Sequence, residues 1–280
     1  MALDIKLSNE DCSARHLAKQ ARQAGCKLVI ACGGDGTVTE VASALVGSDT
    51  CLGIIPLGTT NALSHALWGI SAKLMPVRSA CLNILDGQSR AIDTASCNGR
   101  LMLLLAGVGF EQQMVAAADR DKKNQLGQLA YLNGLWQAVQ SNRIQSLWVQ
   151  FDEQPEQPLD TASLVVANAA PLTTLLAQGS GAPDLTDGKL DITWLVANNE
   201  DSQFLGLAEL ALAGLTNINP SVASQSCQAS RIAVRRQDGQ PLHYVIDGEL
   251  FQDKTLEIVI NPASLRVMLA DEETENTPAS

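Results

Sequence analysis

The sequence predicts an α/β domain built on a parallel sheet, followed by a β-rich, sandwich-like domain. Helical and strand patterns alternate in the first third of the chain, whereas strand patterns predominate after residue 90. Two short apolar runs in the first third each end in a polar, glycine-containing loop. We therefore place the first domain at residues 1–89 and the second at residues 90–270, whose final segment can pack back on the first domain. We expect the acidic tail, residues 271–280, to be disordered.

The first domain begins with a helix whose small and apolar residues recur at helical spacing, and the glycine at position 25 can end it. Short apolar runs bounded by glycine or proline predict buried strands. In chain order we predict a helix at 11–25, a strand at 27–32, a helix at 37–46, a strand at 51–55, and helices at 61–68 and 76–85. Such alternation predicts parallel strands.

The second domain opens with a hairpin, because Asn98-Gly99 separates two strand patterns at 90–97 and 100–107. A long amphipathic helix follows, with apolar residues at helical spacing between 114 and 139, and another helix is predicted at 204–213. The remaining predicted strands lie at 144–151, 163–168, 190–196, 231–234, 243–246 and 256–260.

Composition excludes several classes of function. A net charge of -11 disfavours nucleic-acid binding and docking on anionic lipid through a basic patch. No stretch reaches the roughly 18 apolar residues that span a membrane, and the start lacks the basic segment of a signal peptide. Seven cysteines without a C-x-x-C pair predict reduced thiols and a cytoplasmic protein.

The loop after the first predicted strand has the sequence Gly33-Gly34-Asp35-Gly36-Thr37. Glycines let the backbone approach a phosphate, and a following helix offers free N–H groups and the positive end of its dipole. A carboxylate at this place suits a phosphate site in which Mg²⁺ lies between the two anions. The alternative is a tight strand-to-helix turn with Asp35 or Thr37 as the helix cap.

The loop after the second predicted strand runs from Pro56 to Asn61. Ligands of parallel sheets bind beyond the carboxyl ends of the strands. Two glycine-containing loops at two such ends would therefore face one crevice, although each alone is also compatible with a simple turn.

The run GGDGTVTEV, followed about twenty residues later by PLGTTNA, resembles motifs of the diacylglycerol kinase catalytic domain family. That family includes bacterial lipid kinases and sphingosine kinases, and it shares a superfamily with NAD kinase. Further segments resemble the family in the right order between residues 28 and 265: Ala91-Ile92-Asp93, Gly107-Val108-Gly109-Phe110, the run KNQLGQLAY at 123–131, Asp187-Gly188-Lys189-Leu190-Asp191 and Asp247-Gly248-Glu249. The resemblance implies a Rossmann-like nucleotide-binding first domain.

The resemblance also implies a role for each matching residue, with ATP and Mg²⁺ as cofactors. Asp247 and Glu249 would form the catalytic pair, one of them acting as general base on a lipid hydroxyl; both DG pairs, at 187 and 247, are also compatible with hairpin turns. The implied ATP-binding residues are Gly33, Gly34, Asp35, Gly36, Thr37, Val38, Thr39, Thr59 and Asn61. The implied metal-binding residues are Asp35 and Asp93 in one network and Asp184, Asp187 and Lys189 in a structural Mg²⁺ site.

The implied function is ATP- and Mg²⁺-dependent phosphorylation of a lipid hydroxyl, with transient peripheral contact at a membrane surface and a place in phospholipid biosynthesis. A homodimer is one possible assembly. Two alternatives remain on the same fold: a catalytically impaired nucleotide- or lipid-binding module, and a kinase for a soluble metabolite. The identity of the lipid does not follow from any motif.

The chain departs from the family pattern in three respects. The family's first strand and its N-P-x-S-G loop are expected to be missing, Ala62 stands where the family has a metal-network Asp, and Thr39 replaces a common Asn. These differences predict weaker ATP binding and reduced turnover.

Overall fold

The structure is a computed structural model that describes residues 3–59, 61–68, 77–109, 144–169, 183–196 and 224–269. The chain divides into two compact units. The first unit comprises residues 1–93 and 263–280, and the second comprises residues 94–262.

The helices described in the first unit follow the predicted order. They are α1 (Ala14–Gln23), α2 (Asp35–Leu45), α3 (Ala62–Trp68) and α4 (Val77–Asp86). The hydroxyl of Ser13 caps α1 by accepting a hydrogen bond from the His16 N–H at 3.2 Å. Gly25 follows this helix with φ +79°, a conformation that a glycine adopts without strain.

The first unit contains parallel strand pairs and helices that alternate with strands along the chain, which confirms the predicted α/β architecture. Strand β1 (Leu28–Gly33) pairs with β2 (Cys51–Pro56) in register from Leu28 opposite Cys51 to Gly33 opposite Pro56. Among the described residues β2 has a second parallel neighbour, the end of β13 (Thr255–Leu269), with Val267 opposite Leu52. The two strands that precede the glycine loops therefore end side by side.

The last strand belongs to both units. Residues of β13 up to Pro262 lie in the second unit, and those from Ala263 lie in the first. Its end is buried there, since Leu265 and Val267 are fully shielded from solvent. The sequence predicted only residues 256–260 of this strand, because the later segment carries Asn261-Pro262, which interrupts the apolar pattern.

The second unit is a predominantly antiparallel β structure, as the sequence predicted. Its strands are β3 (Gln88–Cys97, which begins in the first unit), β4 (Arg100–Met102), β5 (Leu105–Val108), β6 (Gln145–Phe151), β7 (Gln157–Ala167), β8 (Leu190–Val196), β9 (Ser224–Ala229), β10 (Arg231–Arg236), β11 (Leu242–Ile246), β12 (Glu249–Asp253) and the first part of β13. The hydrogen-bonded order runs β13-β10-β6-β7-β5-β11-β12, and β8 and β9 extend from β7.

One face of this second sheet builds the main core of the unit. Alternate residues of its strands form the cluster, among them Ala106, Leu164, Val166, Ile192 and Tyr244. The residues between them, such as Val165 and Thr193, lie on the opposite face and are buried as well. Burial on both faces is consistent with the predicted sandwich-like arrangement.

The structure differs from the sequence prediction at several strands. The predicted strand at 100–107 is two strands, because residues 103–105 direct their N–H groups to the carboxylate of Asp247. Strands β9 and β12 were not predicted, since neither has a clear apolar alternation. The predicted helices between 114 and 139 and at 204–213, and the acidic tail, lie outside the described residues.

None of the helices among the described residues combines the length and the apolar character needed to cross a membrane. All seven cysteines are described, and each is a free thiol. The expected absence of the family's first strand stays a prediction.

Candidate functional site

The first glycine loop leads directly from β1 into α2. Gly33 ends the strand and Gly34 is the helix N-cap, with extended backbone angles and no side-chain cap. Because a helix has no internal partners for its first N–H groups, the start of α2 presents free donors. Gly36, in the first turn, has open space within 4 Å of the position of a Cβ. The loop therefore has the form of an anion-binding site at a helix N-terminus.

The second glycine loop folds back on itself through Asn61. The Asn61 amide oxygen accepts from the Gly58 N–H at 2.9 Å, and its amide nitrogen donates to the Gly58 carbonyl at 2.8 Å. Asn61 has φ +48°, a left-handed conformation that asparagine tolerates better than most residues. Asn61 is buried, and its main-chain carbonyl accepts from the His65 N–H, so the residue also starts α3. Asn61 thus fixes the shape of the loop.

The structure brings the two glycine loops into contact. A Cβ on Gly34 would lie 3.2 Å from the Gly58 Cα, and a Cβ on Gly58 would lie 2.5 Å from the Gly34 Cα. The Leu57 N–H also donates to the Gly33 carbonyl at 2.9 Å. Since β1 and β2 are parallel neighbours, their carboxyl ends place both loops at one edge of the sheet.

Asp35 links the two loops by a charged hydrogen bond. One of its carboxylate oxygens accepts from the N–H of Ala62, the first residue of α3, at 2.6 Å. A carboxylate at a helix N-terminus is stabilised by the helix dipole. The second oxygen of Asp35 has no hydrogen bond to any described residue. Asp35 therefore retains one oxygen that can ligate a cation.

The other residues predicted to bind ATP differ in how accessible they are. The side chains of Thr37 and Thr39 are half-buried, and Thr59 is exposed. The Val38 side chain belongs to the core, at 4% exposure, and its N–H donates to the Gly34 carbonyl. Val38 therefore has neither its side chain nor its N–H available to a ligand, whereas the three threonines present hydroxyl groups near the loops.

Asp93 lies at the point where the chain of β3 leaves the first unit. Its side chain is 2% exposed, and one oxygen accepts from the Ala263 N–H at 2.7 Å. Ala263 has φ +48°, so this bond supports a strained backbone position at the bend of β13. The metal-binding role predicted for Asp93 stays a prediction.

The Asp247-Gly248 turn holds one predicted catalytic residue tightly. Asp247 accepts three hydrogen bonds from successive backbone N–H groups, those of Leu103 at 2.8 Å, Leu104 at 2.9 Å and Leu105 at 3.0 Å. Its own N–H donates to the Leu105 carbonyl. Both oxygens are thereby engaged, so Asp247 is suited to positioning the turn and poorly suited to accepting a proton.

Glu249, the other predicted catalytic residue, has an exposed carboxylate without a partner among the described residues. It opens β12 directly after the turn and is exposed. No hydrogen bond or ion pair joins its side chain to any of the described residues. An exposed carboxylate on a rigid turn can serve as a general base.

The residues predicted for a structural Mg²⁺ site lie in the turn before β8. Asp184 accepts from the N–H and hydroxyl of Thr186, and Asp187 accepts from the Lys189 N–H at 2.9 Å. The Gln228 amide reaches both Asp187 at 3.3 Å and Asp191 at 3.2 Å. The described residues contain no group of three or more side chains arranged to hold a metal ion. The Mg²⁺ site stays a prediction.

Sequence reasoning did not identify two residues that shape these loops. Gly58 belongs to the second loop motif, but the sequence does not predict its contact with Gly34; the available signal was a glycine at a similar offset after each strand. Asn168 is buried at the end of β7, and its amide donates to the Leu103 carbonyl at 2.8 Å. A polar residue at the end of an apolar strand was the available signal for Asn168.

Comparison with known proteins gives consistent results. The sequence model of the diacylglycerol kinase catalytic domain matches residues 1–97. A probable YegS-like lipid kinase of Pseudomonas fluorescens is 31% identical over 283 residues, which cover 96% of this chain and 86% of that protein. The diacylglycerol kinase of Bacillus subtilis is 32% identical over 239 residues, 84% of this chain and 75% of that protein.

A further relative is longer than this chain. An uncharacterized protein of Synechocystis sp. is 37% identical over 262 residues, which cover 91% of this chain but 59% of that protein. The chain thus spans about three fifths of the length of that relative.

Solved structures share the fold. A diacylglycerol kinase structure from Bacillus anthracis superposes with a TM-score of 0.62 at 16% identity, covering 95% of this chain and 84% of that one. An NAD kinase from Archaeoglobus fulgidus in complex with ATP gives a TM-score of 0.50 at 12% identity, over 97% and 86% of the two chains. At these identities the likeness concerns the fold alone.

These findings define the class of protein. The chain belongs to the diacylglycerol kinase family of lipid kinases, which includes the YegS-like proteins. Membership of this family supports a kinase activity.

Proposed function

We propose that the protein transfers the γ-phosphoryl group of ATP to a hydroxyl group of a lipid. One observation carries the proposal. The N-terminus of α2, which follows Gly33 and Gly34, has no side-chain cap, and the loop before it packs against Gly58. The names of the relatives support a lipid as the acceptor, and the ATP bound to the NAD kinase of shared fold supports ATP as the donor.

The glycine loop fits the phosphates of ATP. The helix α2 has 11 residues, so its dipole and its free first-turn N–H groups favour an anion at its start. The absence of a side chain at Gly36 leaves open space at this end of the helix. We infer that the N–H groups of Asp35, Gly36 and Thr37 bind phosphate oxygens.

Asp35 fits Mg²⁺, which prefers carboxylate and phosphate oxygens as ligands. Its free oxygen can ligate the ion while the other remains bound to the Ala62 N–H. When bound there, Mg²⁺ would neutralise charge on the phosphates and so favour transfer. The carboxylate that most family members carry at position 62 is absent here, so Asp35 would hold the ion with fewer protein ligands.

Glu249 would act as the general base. In the proposed step the acceptor oxygen bonds to the γ-phosphorus, the bond between this phosphorus and ADP breaks, and the acceptor proton passes to Glu249. Asp247 would be a positioning residue, because its carboxylate accepts three hydrogen bonds that fix the turn carrying Glu249. The acceptor would be reached during transient peripheral contact with a membrane.

The experiment is incubation with γ-labelled ATP, with and without Mg²⁺, and a panel of diacylglycerol, sphingosine and, as a soluble acceptor, NAD. Thin-layer separation then identifies the labelled product. We expect label in a lipid, dependence on Mg²⁺, and loss of label in Glu249→Gln. Label in NAD alone would overturn the lipid assignment.

A binding module is the second candidate, and Ala62 is the observation that favours it. The N–H of Ala62 bonds to Asp35, but its methyl group cannot ligate a metal ion. Calorimetry separates the two candidates: ATP binding without any labelled product from the panel would support the binding module.

A further inference from the structure

Asn168, directly after β7, holds the short segment at residues 103–105, where β4 passes into β5. Its side-chain amide donates to the Leu103 carbonyl at 2.8 Å, and its main-chain N–H donates to the Leu104 carbonyl at 2.8 Å. The residue is 1% exposed, so water does not compete for these two bonds, which are stronger in a buried place. Asn168 therefore fixes two successive carbonyl groups of the segment.

The N–H groups of the same two peptide units hold Asp247. The peptide unit whose carbonyl accepts from the Asn168 side chain donates through the Leu104 N–H to the Asp247 carboxylate at 2.9 Å. The next unit accepts from the Asn168 N–H and donates through the Leu105 N–H to the same carboxylate oxygen at 3.0 Å. A hydrogen bond to its carbonyl polarises a peptide unit and strengthens its N–H as a donor. Two chains of hydrogen bonds thus connect Asn168 to one oxygen of Asp247.

The Asp247 carboxylate in turn fixes the tight turn that precedes Glu249. Asp247 and Gly248 have φ +47° and +93°, and the first of these is a left-handed conformation that costs energy in a residue with a side chain. Ile246 lies opposite Glu249 in the pairing of β11 with β12, so these two residues alone form the turn. Among the described strands β12 pairs with β11 only. The place of Glu249 therefore depends on how the turn is held.

A second asparagine stabilises the same hairpin elsewhere. The Asn98 side-chain amide donates to the Thr255 carbonyl at 2.8 Å and to the Tyr244 hydroxyl at 3.0 Å. Neither partner belongs to the turn at residues 247–248, so Asn98 contributes to the stability of the second unit through bonds that do not involve the turn. Asn98 is therefore a matched control for Asn168.

We propose that Asn168 is a positioning residue for phosphoryl transfer: through the two peptide units and Asp247 it holds Glu249 where an acceptor hydroxyl can reach it. This inference rests on the proposed function and adds a residue to the same site. A misplaced base lowers the rate, because proton transfer requires the base and the hydroxyl within hydrogen-bond distance. A buried asparagine that serves the fold alone would affect stability and leave this step unchanged.

The test compares Asn168→Ala with Asn98→Ala in steady-state kinetics. The substrates are γ-labelled ATP and either 1,2-dioctanoylglycerol or sphingosine, whichever the unmodified protein labels. Both substitutions remove hydrogen bonds, so both should lower Tm by several degrees. Asn168→Ala should also lower kcat by roughly five- to thirtyfold, with the KM values of ATP and lipid unchanged. In Asn98→Ala we expect kcat within about twofold of that of the unmodified protein.

A double substitution separates positioning from loss of stability. If Asn168 acts through Glu249, adding Asn168→Ala to Glu249→Gln should lower kcat by less than about twofold further, because the base is already absent. Independent effects would multiply. Multiplied effects, or a normal kcat in folded Asn168→Ala, would overturn the inference and leave the kinase function in place. If the alanine variant does not fold, Asn168→Ser, which keeps a hydroxyl donor on a shorter side chain, is judged by the same criteria.

Hydrogen exchange of backbone amides tests the connection to Asp247 without turnover. In Asn168→Ala the N–H groups of Leu104 and Leu105 should exchange at least about tenfold faster than in Asn98→Ala, whose Tm is lowered as well. Equal exchange rates in the two variants would overturn the inference. If the unmodified protein labels no acceptor, the proposed function fails, and the exchange rates then decide whether Asn168 holds the Asp247 turn.

Discussion

The main chains of Gly34 and Gly58 touch, so that each glycine sets the position of the loop opposite. A methyl group on Gly58 would lie 2.5 Å from the Cα of Gly34 and 2.9 Å from the Asn61 amide oxygen. Both neighbours are fixed, one by the backbone of the first loop and the other by its two hydrogen bonds to Gly58. The geometry of the proposed phosphate site therefore depends on a contact between two residues without side chains.

Gly58→Ala should force the two loops apart. We expect a loss of about 1–3 kcal/mol in the free energy of unfolding, typical of overpacking, together with weaker ATP binding. Urea denaturation and calorimetry measure the two effects. Unchanged stability and affinity would contradict the close contact.

Gly36→Ala is the matched substitution in the first loop. It should separate an effect on stability from an effect on ATP affinity. Its Cβ would meet nothing within 4 Å, and alanine favours a helix over glycine by about 0.5–1 kcal/mol, so stability should not fall. If phosphates occupy the open space at the start of α2, ATP affinity should nevertheless fall. An affinity equal to that of the unmodified protein would place the phosphates elsewhere.

Substitutions of the two acidic residues in the Asp247-Gly248-Glu249 turn should have different effects, one on kcat and the other on stability. Glu249→Gln replaces an exposed carboxylate without described partners by a neutral amide, so we expect normal stability and a fall in kcat of about 10²–10⁴-fold. Asp247→Asn places an amide against backbone donors, and we expect a loss of about 1–3 kcal/mol in unfolding free energy. Urea denaturation and steady-state kinetics of both variants check this assignment; the reverse pattern would make Asp247 the base.

Ala62→Asp should increase the apparent affinity of the protein for Mg²⁺. The new carboxylate would stand at the start of α3, next to the N–H that bonds to Asp35, where a helix terminus favours negative charge. We expect half-maximal turnover at a lower Mg²⁺ concentration. Ala62→Asn, which lacks the charge, is the control. An Mg²⁺ dependence identical in all three proteins would exclude a metal site at this position.

The pH dependence of stability should reveal the role of Asp152. The Ser230 hydroxyl, at 2.7 Å, and two backbone N–H groups hold the pKa of the Asp152 carboxyl below its usual range. Because the folded-state pKa is depressed, this stabilisation is fully present above the unfolded pKa of about 3.9 and is lost as the pH falls through the folded value. The Tm of Asp152→Asn should therefore lie below that of the unmodified protein at pH 6, and the difference should shrink below pH 4.

Asp160→Asn provides the control for this pH series. Asp160 is exposed on β7, and its side chain has no hydrogen bond or ion pair with any of the described residues. Its Tm should follow that of the unmodified protein at every pH. A difference between Asp152→Asn and the unmodified protein that does not change with pH would show that the charge of Asp152 contributes nothing.

The sequence predicted the features that depend on local signals. Apolar runs ended by glycine or proline located β1 and β2, and a parallel pairing of the two strands explains why their loops meet. Asn98-Gly99 likewise marked a real turn, with both residues at positive φ. In each case the residues that determine the structure are close together in the chain.

Features that depend on distant residues were not predictable in this way. The break between β4 and β5 arises because Asp247 binds N–H groups 142 to 144 positions earlier. Asn61 and Gly58 were part of a motif, but the closeness of Gly58 to Gly34 depends on the twist and register of two strands. The buried hydroxyl groups of Ser163 and Thr193, which have no hydrogen-bond partner, can be recognised only when burial and pairing are known.

The end of β13 adds to the sheet of the first unit residues that are synthesised long after β2. Val267 is the parallel neighbour of Leu52, and the Ser264 carbonyl accepts a hydrogen bond from the Gly47 N–H. On the ribosome, where the chain grows at about 5–20 residues per second, the first unit must wait for these residues before its sheet is complete. A nascent chain ending near residue 97 would thus present the open side of β2 to the solvent, and we expect it to recruit holdase chaperones until translation passes β13.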